Sequence, residues 1–283
     1  MSTKPIAQDN RGPQPDQQQG PSPLAIFQAD LARIDRLALD LFDGDQKRHL
    51  RFKAGTFQLV RKNPDLLDCN RASLMLALGE CAALDLETSP TFQHVAIVPR
   101  KGEAQLMIQY RGLIALMIRS GFVEYVTPYV VRSGEVFRHT GGSEPRIVHE
   151  LPLDDVDEGN EGILASYCML KMRGSPGLVA GPVIRRTKLL EAKGRSNGNV
   201  WAEHFEAMCL KTAIRRAAKT IPQSEELAYV LTREDVVEGD VNARLPELDR
   251  LRELAEVIRA GDRPALRQGE EAPLLTQLGA GQG

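Results

Sequence analysis

Ile108–Arg119, IQYRGLIALMIR, decides how this chain is read. Gln109, Tyr110 and Arg111 lead through Gly112 into an apolar run. There Leu113, Ile114, Leu116 and Met117 recur at helical spacing and pack inward. Arg111 and Arg119 lie eight positions apart, so on a helix they project within about 80° of each other. The element has one apolar side and one cationic edge that opens with an aromatic residue. Such an edge can hold a nucleic-acid backbone, but so short a stretch does not establish that use.

The second informative stretch is Trp201–Thr220, WAEHFEAMCLKTAIRRAAKT, which the pattern predicts as one continuous helix ended by Pro222. On a helical wheel Lys211, Arg215, Lys219 and Arg216 fall within an arc of about 140°. Leu210, Ala213, Ile214 and Ala217 face the other way. No acidic residue interrupts 207–220, whereas an ordinary solvated face mixes signs for i,i+4 pairing. The helix dipole accounts for a cation near the C-terminus such as Lys219, but not for the whole stripe. A phosphate-contacting surface and a plain solvated face both remain open from this helix alone. Trp201, the only tryptophan, either stacks a base, at about 1–3 kcal/mol, or anchors the helix start in the core.

Around these two elements the chain has 283 residues, 42% hydrophobic and 26% charged, as expected of a globular protein with one large or two modest domains. The net charge of −2 does not advertise a nucleic-acid ligand. Its distribution does: acids gather in Glu150–Glu161 and Glu225–Glu256, and cations such as Arg100, Lys101, Arg132, Arg186 and Lys188 fill the space before and between. A solvated mixed-charge surface is the plainer reading of charge alone. Cys69, Cys81, Cys168 and Cys209 are widely spaced and form no C-x-x-C pair, so they are expected as reduced core residues. There is no apolar run of membrane-spanning length and no apolar region in the N-terminal stretch. A cytoplasmic protein with no membrane partner is expected.

In order, residues 1–23 are expected to be a disordered head. Helices follow over 24–42 (ended at Gly44), over Lys47–Val60, and over Arg71–Leu84 capped by Asn70. Strands over 91–98 and Ala104–Gln109 flank a Pro99–Gly102 turn. After the Tyr110–Arg119 helix come strands at Val123–Arg132 and Glu135–His139, joined around Ser133-Gly134. Thr140–Asn160 reads as a polar loop, 162–173 as a strand and 178–184 as a weaker one. Thr187 begins a short helix and Lys193–Asn199 reads as a basic loop. The core is expected to end at residue 222, leaving an acidic 223–283 segment with one helix over 246–259 and a disordered tail. The fold class is α+β.

The search for chemistry is brief. No G-x-x-x-x-G-K-[ST] loop is present, as an ATP-driven recombinase would need, and no H-E-x-x-H. His94, His139, His149 and His204 have no ligand spacing. Asp85, Glu87 and Glu103 are a weak candidate for a metal-dependent nuclease centre, against their reading as turn and surface residues.

Residues from about 50 to 240 resemble the RecT family of phage-type single-strand annealing proteins. The resemblance rests on Leu78–Glu87 (LGECAALDLE), Ile108–Gly121, Val130–Phe137 (VVRSGEVF) and Val200–Pro222, in that order and spacing. It implies a basic groove of helices against a small antiparallel sheet. It also implies ATP-independent binding of single-stranded DNA, and annealing to duplex by rings or helical filaments of the chain itself. A 5′→3′ exonuclease and a single-strand-binding protein are the further partners implied. No cofactor is expected, beyond a divalent cation assisting DNA binding without a dedicated site. Gln109, Tyr110, Arg111, Lys211, Arg215 and Arg216 carry over as DNA contacts. Arg119, Arg132, Lys188, Trp201, Thr212 and Lys219 complete the candidate set, and no catalytic residue is expected. Asp85-Leu86-Glu87-Thr88 departs from the Gly-Leu-Glu-Pro type of turn the family leads one to expect. Two other readings stand beside annealing: a nuclease on the same DNA, and a filament scaffold whose groove takes an acidic segment, including this chain's own Glu225–Glu256.

Overall fold

A computed structural model describes residues 21–141, 146–152, 159–195 and 199–235, together with residue 256. The head expected over 1–23 lies outside the described residues up to residue 20. So do the 246–259 helix, apart from residue 256, and the tail.

Three helices form one layer. α1 (Pro23–Leu41) begins where the Ser22 hydroxyl accepts from the Ala25 N–H, with Pro23 in the first turn where its missing donor costs nothing. It ends at Asp43 and Gly44, both left-handed, with the Gly44 N–H donating to the Leu39 carbonyl. α2 (Gln46–Lys62) is capped by the Asp45 carboxylate and α3 (Arg71–Ala83) by the Asn70 side chain. Leu74, Leu78 and Cys81 of α3 are buried, as its apolar sequence demands. The buried Asp30 of α1 takes a two-pronged bond from Arg71, at 2.7 Å to each oxygen, and this ties α1 to the start of α3.

β1 (Val95–Arg100) and β2 (Glu103–Ile108) form a hairpin in register from Val95↔Ile108 to Arg100↔Glu103. Its turn is Lys101-Gly102, both at positive φ as a two-residue loop requires. β1 therefore starts four residues later than the 91–98 expectation and takes in Pro99, which was expected in the turn. Pairing with β2 alone leaves β1 an open edge, where proline is tolerated. α4 (Tyr110–Arg119) follows directly and has the expected bounds.

The main sheet is antiparallel. β3 (Val123–Arg132) pairs with β6 (Ile163–Met172), which also pairs with β7 (Leu178–Ala180) and β8 (Ile184–Arg185). The expected pairing across Ser133-Gly134 does not form. Instead β4 (Val136–Thr140) pairs with β5 (Arg146–Glu150) in a separate ribbon, and β5 lies inside the stretch expected as a polar loop. The Ser133 N–H is taken by the Gly162 carbonyl at 2.8 Å, and Glu135 accepts from both the Arg132 N–H and His149 Nε2. These bonds lead the chain off the sheet. His149 Nδ1 lies 2.9 Å from the Tyr167 hydroxyl, and its ring sits among Tyr129, Phe137 and Tyr167, which seats the ribbon on β6.

α5 (Arg186–Arg195) reaches into the stretch expected as a loop, of which 196–198 lie outside the described residues. The helix expected over Trp201–Thr220 is two: α6 (Val200–Glu203) and α7 (Phe205–Ala218), broken at His204 with φ −132°. The bonds His204 N–H to Val200 and Met208 N–H to His204 persist on either side. The helical spacing of apolar residues runs through His204 without a proline or glycine, so the sequence does not mark the break. α8 (Glu225–Asp235) packs Leu227, Tyr229, Val230 and Leu231 into the same core as α1, α3 and α4. Its Tyr229 hydroxyl and Arg233 both bind Glu80. The core thus runs past the boundary expected at residue 222; a net acidic composition concealed the apolar spacing at 227, 230 and 231. The whole is α+β, as expected, and all four cysteines are free and buried.

Gly112 lets α4 lie close to the chain entering β1: a Cβ there would stand 2.3 Å from the His94 carbonyl oxygen. That same oxygen accepts from the Gln109 N–H at 2.9 Å. Gly112→Ala should lower stability by about 1–3 kcal/mol, read as a drop in Tm. Gly177→Ala, which meets nothing within 4 Å, should leave it nearly unchanged.

Candidate nucleic-acid interface

α7 lies on β6 and β3 and against α4. Cys209, Ala213, Ile214, Ala217 and Ala218 form its buried side. The remaining arc carries Lys211, Thr212 and Arg215 half-exposed, and Arg216 and Lys219 exposed. Lys211, Arg215 and Lys219 are each already engaged in a polar or charged contact within the chain. Thr212 turns its hydroxyl back to the Met208 carbonyl at 2.8 Å, which occupies its donor.

The α4 opening meets this helix. Gln109 is at the strand-to-helix junction. Tyr110 is half-buried, and the Arg111 guanidinium lies 6.0 Å from its ring centroid. Tyr110 and Leu210 line one open cavity of about 340 Å³ with Phe205, Glu203 and Glu206. The aromatic start of α4 thus stands beside the turn of α7 that leads into Lys211.

Other candidates are placed elsewhere. Arg119 points to the end of α3, donating to the Leu84 carbonyl and to the Asp85 carbonyl and carboxylate at 2.8 and 3.0 Å. It is therefore separated in role from Arg111, despite the shared helix edge. Arg132 binds Glu206 at 2.7 Å and the Gly159 carbonyl at 3.2 Å, with its side chain 12% exposed. Lys188 pairs with Glu191 on the surface of α5. Trp201 is 3% exposed and packs on Phe205, with ring centroids 5.7 Å apart. As placed, its ring is closed to a base, so the core-anchor alternative describes it.

The turn after α3 departs in sequence from the family expectation. Asp85 takes the left-handed conformation a glycine would adopt, φ 48°. Its carboxylate is held by Arg48 and Arg119. Glu87 pairs with Arg51, and Glu103 stands opposite Arg100 across the hairpin. Asp85 and Glu87 of the nuclease candidate are thus each ion-paired with arginine.

Two cationic features were not among the candidate contacts. Arg186 bonds the Asn160 and Ile163 carbonyls and Glu161, and lies 5.7 Å from the Phe205 ring centroid. α2 carries Lys47, Arg48, Arg51, Lys53, Arg61 and Lys62 with no acid from 46 to 62. That bias was visible in the sequence, but it precedes the basic region that drew attention.

Comparison with known proteins gives one consistent answer. The RecT family model matches residues 50–246, more than half of the chain. Protein RecT of Escherichia coli (strain K12) is 28% identical over 185 residues, covering 62% of this chain and 67% of that protein.

Two measurements separate structural from ligand-facing roles. Trp201 emission should be blue-shifted and poorly quenched by acrylamide, and nearly unmoved when a single strand saturates the protein; a large DNA-dependent change would place the ring at the DNA. Arg119→Ala should cost about 1–2 kcal/mol of stability through lost charge-assisted bonds, with DNA affinity of the folded variant little altered.

Proposed function

The chain belongs to the RecT family, whose members act in single-strand annealing during recombination, and from that premise we propose that it binds single-stranded DNA and anneals complementary strands without ATP, as a ring or helical filament. The observation that carries this reading is the outer arc of α7. It bears Lys211, Arg215, Arg216 and Lys219 without an interleaved acid, beside Tyr110 and Arg111, and lies within the matched region.

Annealing must bring two polyanions together. Lysine and arginine neutralise phosphates and release counterions, so binding is strongest at low salt. Contacts to the backbone carry no sequence information, which suits a protein that must accept any strand. The bases stay free for the incoming strand, and Tyr110, half-buried beside Arg111, is the aromatic proposed to support one of them. Pairing itself supplies the favourable free energy, about 1.4 kcal/mol per stacked step. Nucleotide hydrolysis is therefore not needed, nor a cofactor; a divalent cation would act only by screening. Neighbouring protomers along one strand multiply weak contacts. A 5′→3′ exonuclease supplying the strand and a single-strand-binding protein are the partners proposed, in the cytoplasm. No helix among the described residues is long and apolar enough to cross a membrane.

The test mixes complementary labelled oligonucleotides with the protein, without ATP, and follows duplex formation by energy transfer. Wild type should accelerate duplex formation, less so as salt rises. Lys211→Ala/Arg215→Ala should slow it and flatten the logarithmic salt dependence of single-strand affinity by about 1.4, at roughly 0.7 per lost phosphate contact. Acceleration unaffected by the double substitution would move the groove elsewhere. No acceleration at any protein concentration would reject annealing, and divalent-dependent loss of labelled DNA would indicate a nuclease.

A further inference from the structure

Two arginines grip one short turn. The chain enters β6 through residues 159–163. Arg186, the first residue of α5, donates to the Asn160 and Ile163 carbonyls at 3.0 and 2.7 Å. Arg132, the last residue of β3, donates to the Gly159 carbonyl at 3.2 Å. Main-chain acceptors thus fix where both guanidinium groups stand. The forks are set in advance of any ligand, so little freedom is left to lose on binding.

Each arginine also meets a carboxylate that solvent reaches. Arg186 Nη2 donates to Glu161 at 2.6 Å, and the Glu161 side chain is 92% exposed. Arg132 Nη2 donates to Glu206 at 2.7 Å, and the Glu206 side chain is 48% exposed. An ion pair with so exposed a partner adds little to stability, so the Glu161 cap is weakly held and the Glu206 cap more firmly. Lys193 converges on the same place. Its ammonium lies 5.6 Å from the Phe205 ring centroid, and the Arg186 guanidinium lies 5.7 Å from it. Asn160, Phe205 and Glu206 line the open cavity that Tyr110 shares. The two arginines therefore stand directly behind a wall of the surface proposed for DNA.

We propose that Arg186 and Arg132 form a further phosphate seat, capped in the free protein by Glu161 and Glu206, whose carboxylates a strand phosphate replaces on binding. The inference rests on the DNA-binding reading above and deepens it. Carboxylate and phosphate each offer a guanidinium two acceptor oxygens, so the bonding geometry survives the exchange. The strand phosphate also gives up condensed counterions, which a carboxylate of the same chain does not, and this favours the strand at low salt. The caps hold the arginines in place when no strand is there and compete with the strand when it arrives. Arg132 thus returns as a DNA contact in the bound state, and Arg186 joins it.

The experiment is fluorescence anisotropy of a labelled oligothymidine on the full chain across a salt series, with the energy-transfer annealing assay run on the same samples. Glu161→Gln keeps the shape of the cap and removes its charge. It should tighten single-strand binding about threefold and steepen the logarithmic salt dependence by about 0.7, as one added phosphate contact would. Glu124→Gln, an exposed acid at the other end of β3 from Arg132, should change neither. Loss of a negative charge also helps DNA binding through space, and a double-substitution cycle separates the two effects. In an Arg186→Gln background, which keeps donors for the two carbonyls, Glu161→Gln should gain nothing. No gain in the single variant, or a gain that persists without Arg186, would overturn the seat. Trp201 emission, which reports the packing of Trp201 on Phe205, confirms that the variants fold; if Arg186→Gln does not, the Arg132→Gln and Glu206→Gln cycle puts the same question to the other arginine. Binding and annealing by wild type with no gain from Glu161→Gln would reject the seat alone. A wild type that binds no single strand would reject the DNA reading itself.

Discussion

The close seating of α7 on the main sheet governs most of what the surface can do. Ala213, Ile214 and Ala217 are fully buried, and Gly181 opposite Ala217 has no room for a Cβ, which would stand 3.0 Å from the alanine methyl. Small residues on both sides bring the helix axis near β6. A helix held so closely has one orientation about its axis, and the long cationic side chains can only occupy the other arc. The charge pattern of α7 is therefore a consequence of its packing: what the helix buries decides what it shows. α4 and α8 close on the same helix, so the cationic arc and the core share one support.

A second constraint sits at the turn after α3. Asp85 holds a left-handed backbone that L-residues adopt at a cost, and two arginines from different helices, Arg48 and Arg119, converge on it. Thr88 follows, buried, with its hydroxyl donating to the Phe52 carbonyl at 3.1 Å. Where a glycine would take this conformation without penalty, the aspartate offsets it with charge-assisted bonds and joins α2, α3 and α4 in doing so.

Local pattern carried much of the architecture. α3 announces itself by Asn70 and an apolar run, the β1–β2 hairpin by Lys101-Gly102, and α4 by the spacing of Leu113, Leu116 and Met117. What sequence could not show is set by partners far along the chain. Arg119 finds Asp85 across 34 positions and Arg132 finds Glu206 across 74; both looked like free surface cations. β4 leaves β3 because Glu135 meets His149, a contact that no turn propensity encodes. Trp201 illustrates the same limit: an aromatic beside cations reads alike whether it faces bases or Phe205. For the candidate interface, the cationic arc of α7 and the adjacency of Tyr110 and Arg111 could be read from the sequence, while the packing of α4 against α7 could not.

The four buried thiols give the molecule a further property. Burial pushes Cys168 and Cys209 up to about 12, and raises Cys69 and Cys81 as well, so the thiolate is scarce while the fold is closed. They sit at separate stations: ahead of α3, within α3, in the middle of β6 and on the inner face of α7. Each can meet a thiol reagent only when its own neighbourhood opens. The native chain thus carries four internal clocks, and their separate labelling rates would record which region of the fold breathes first when the protein takes hold of a strand.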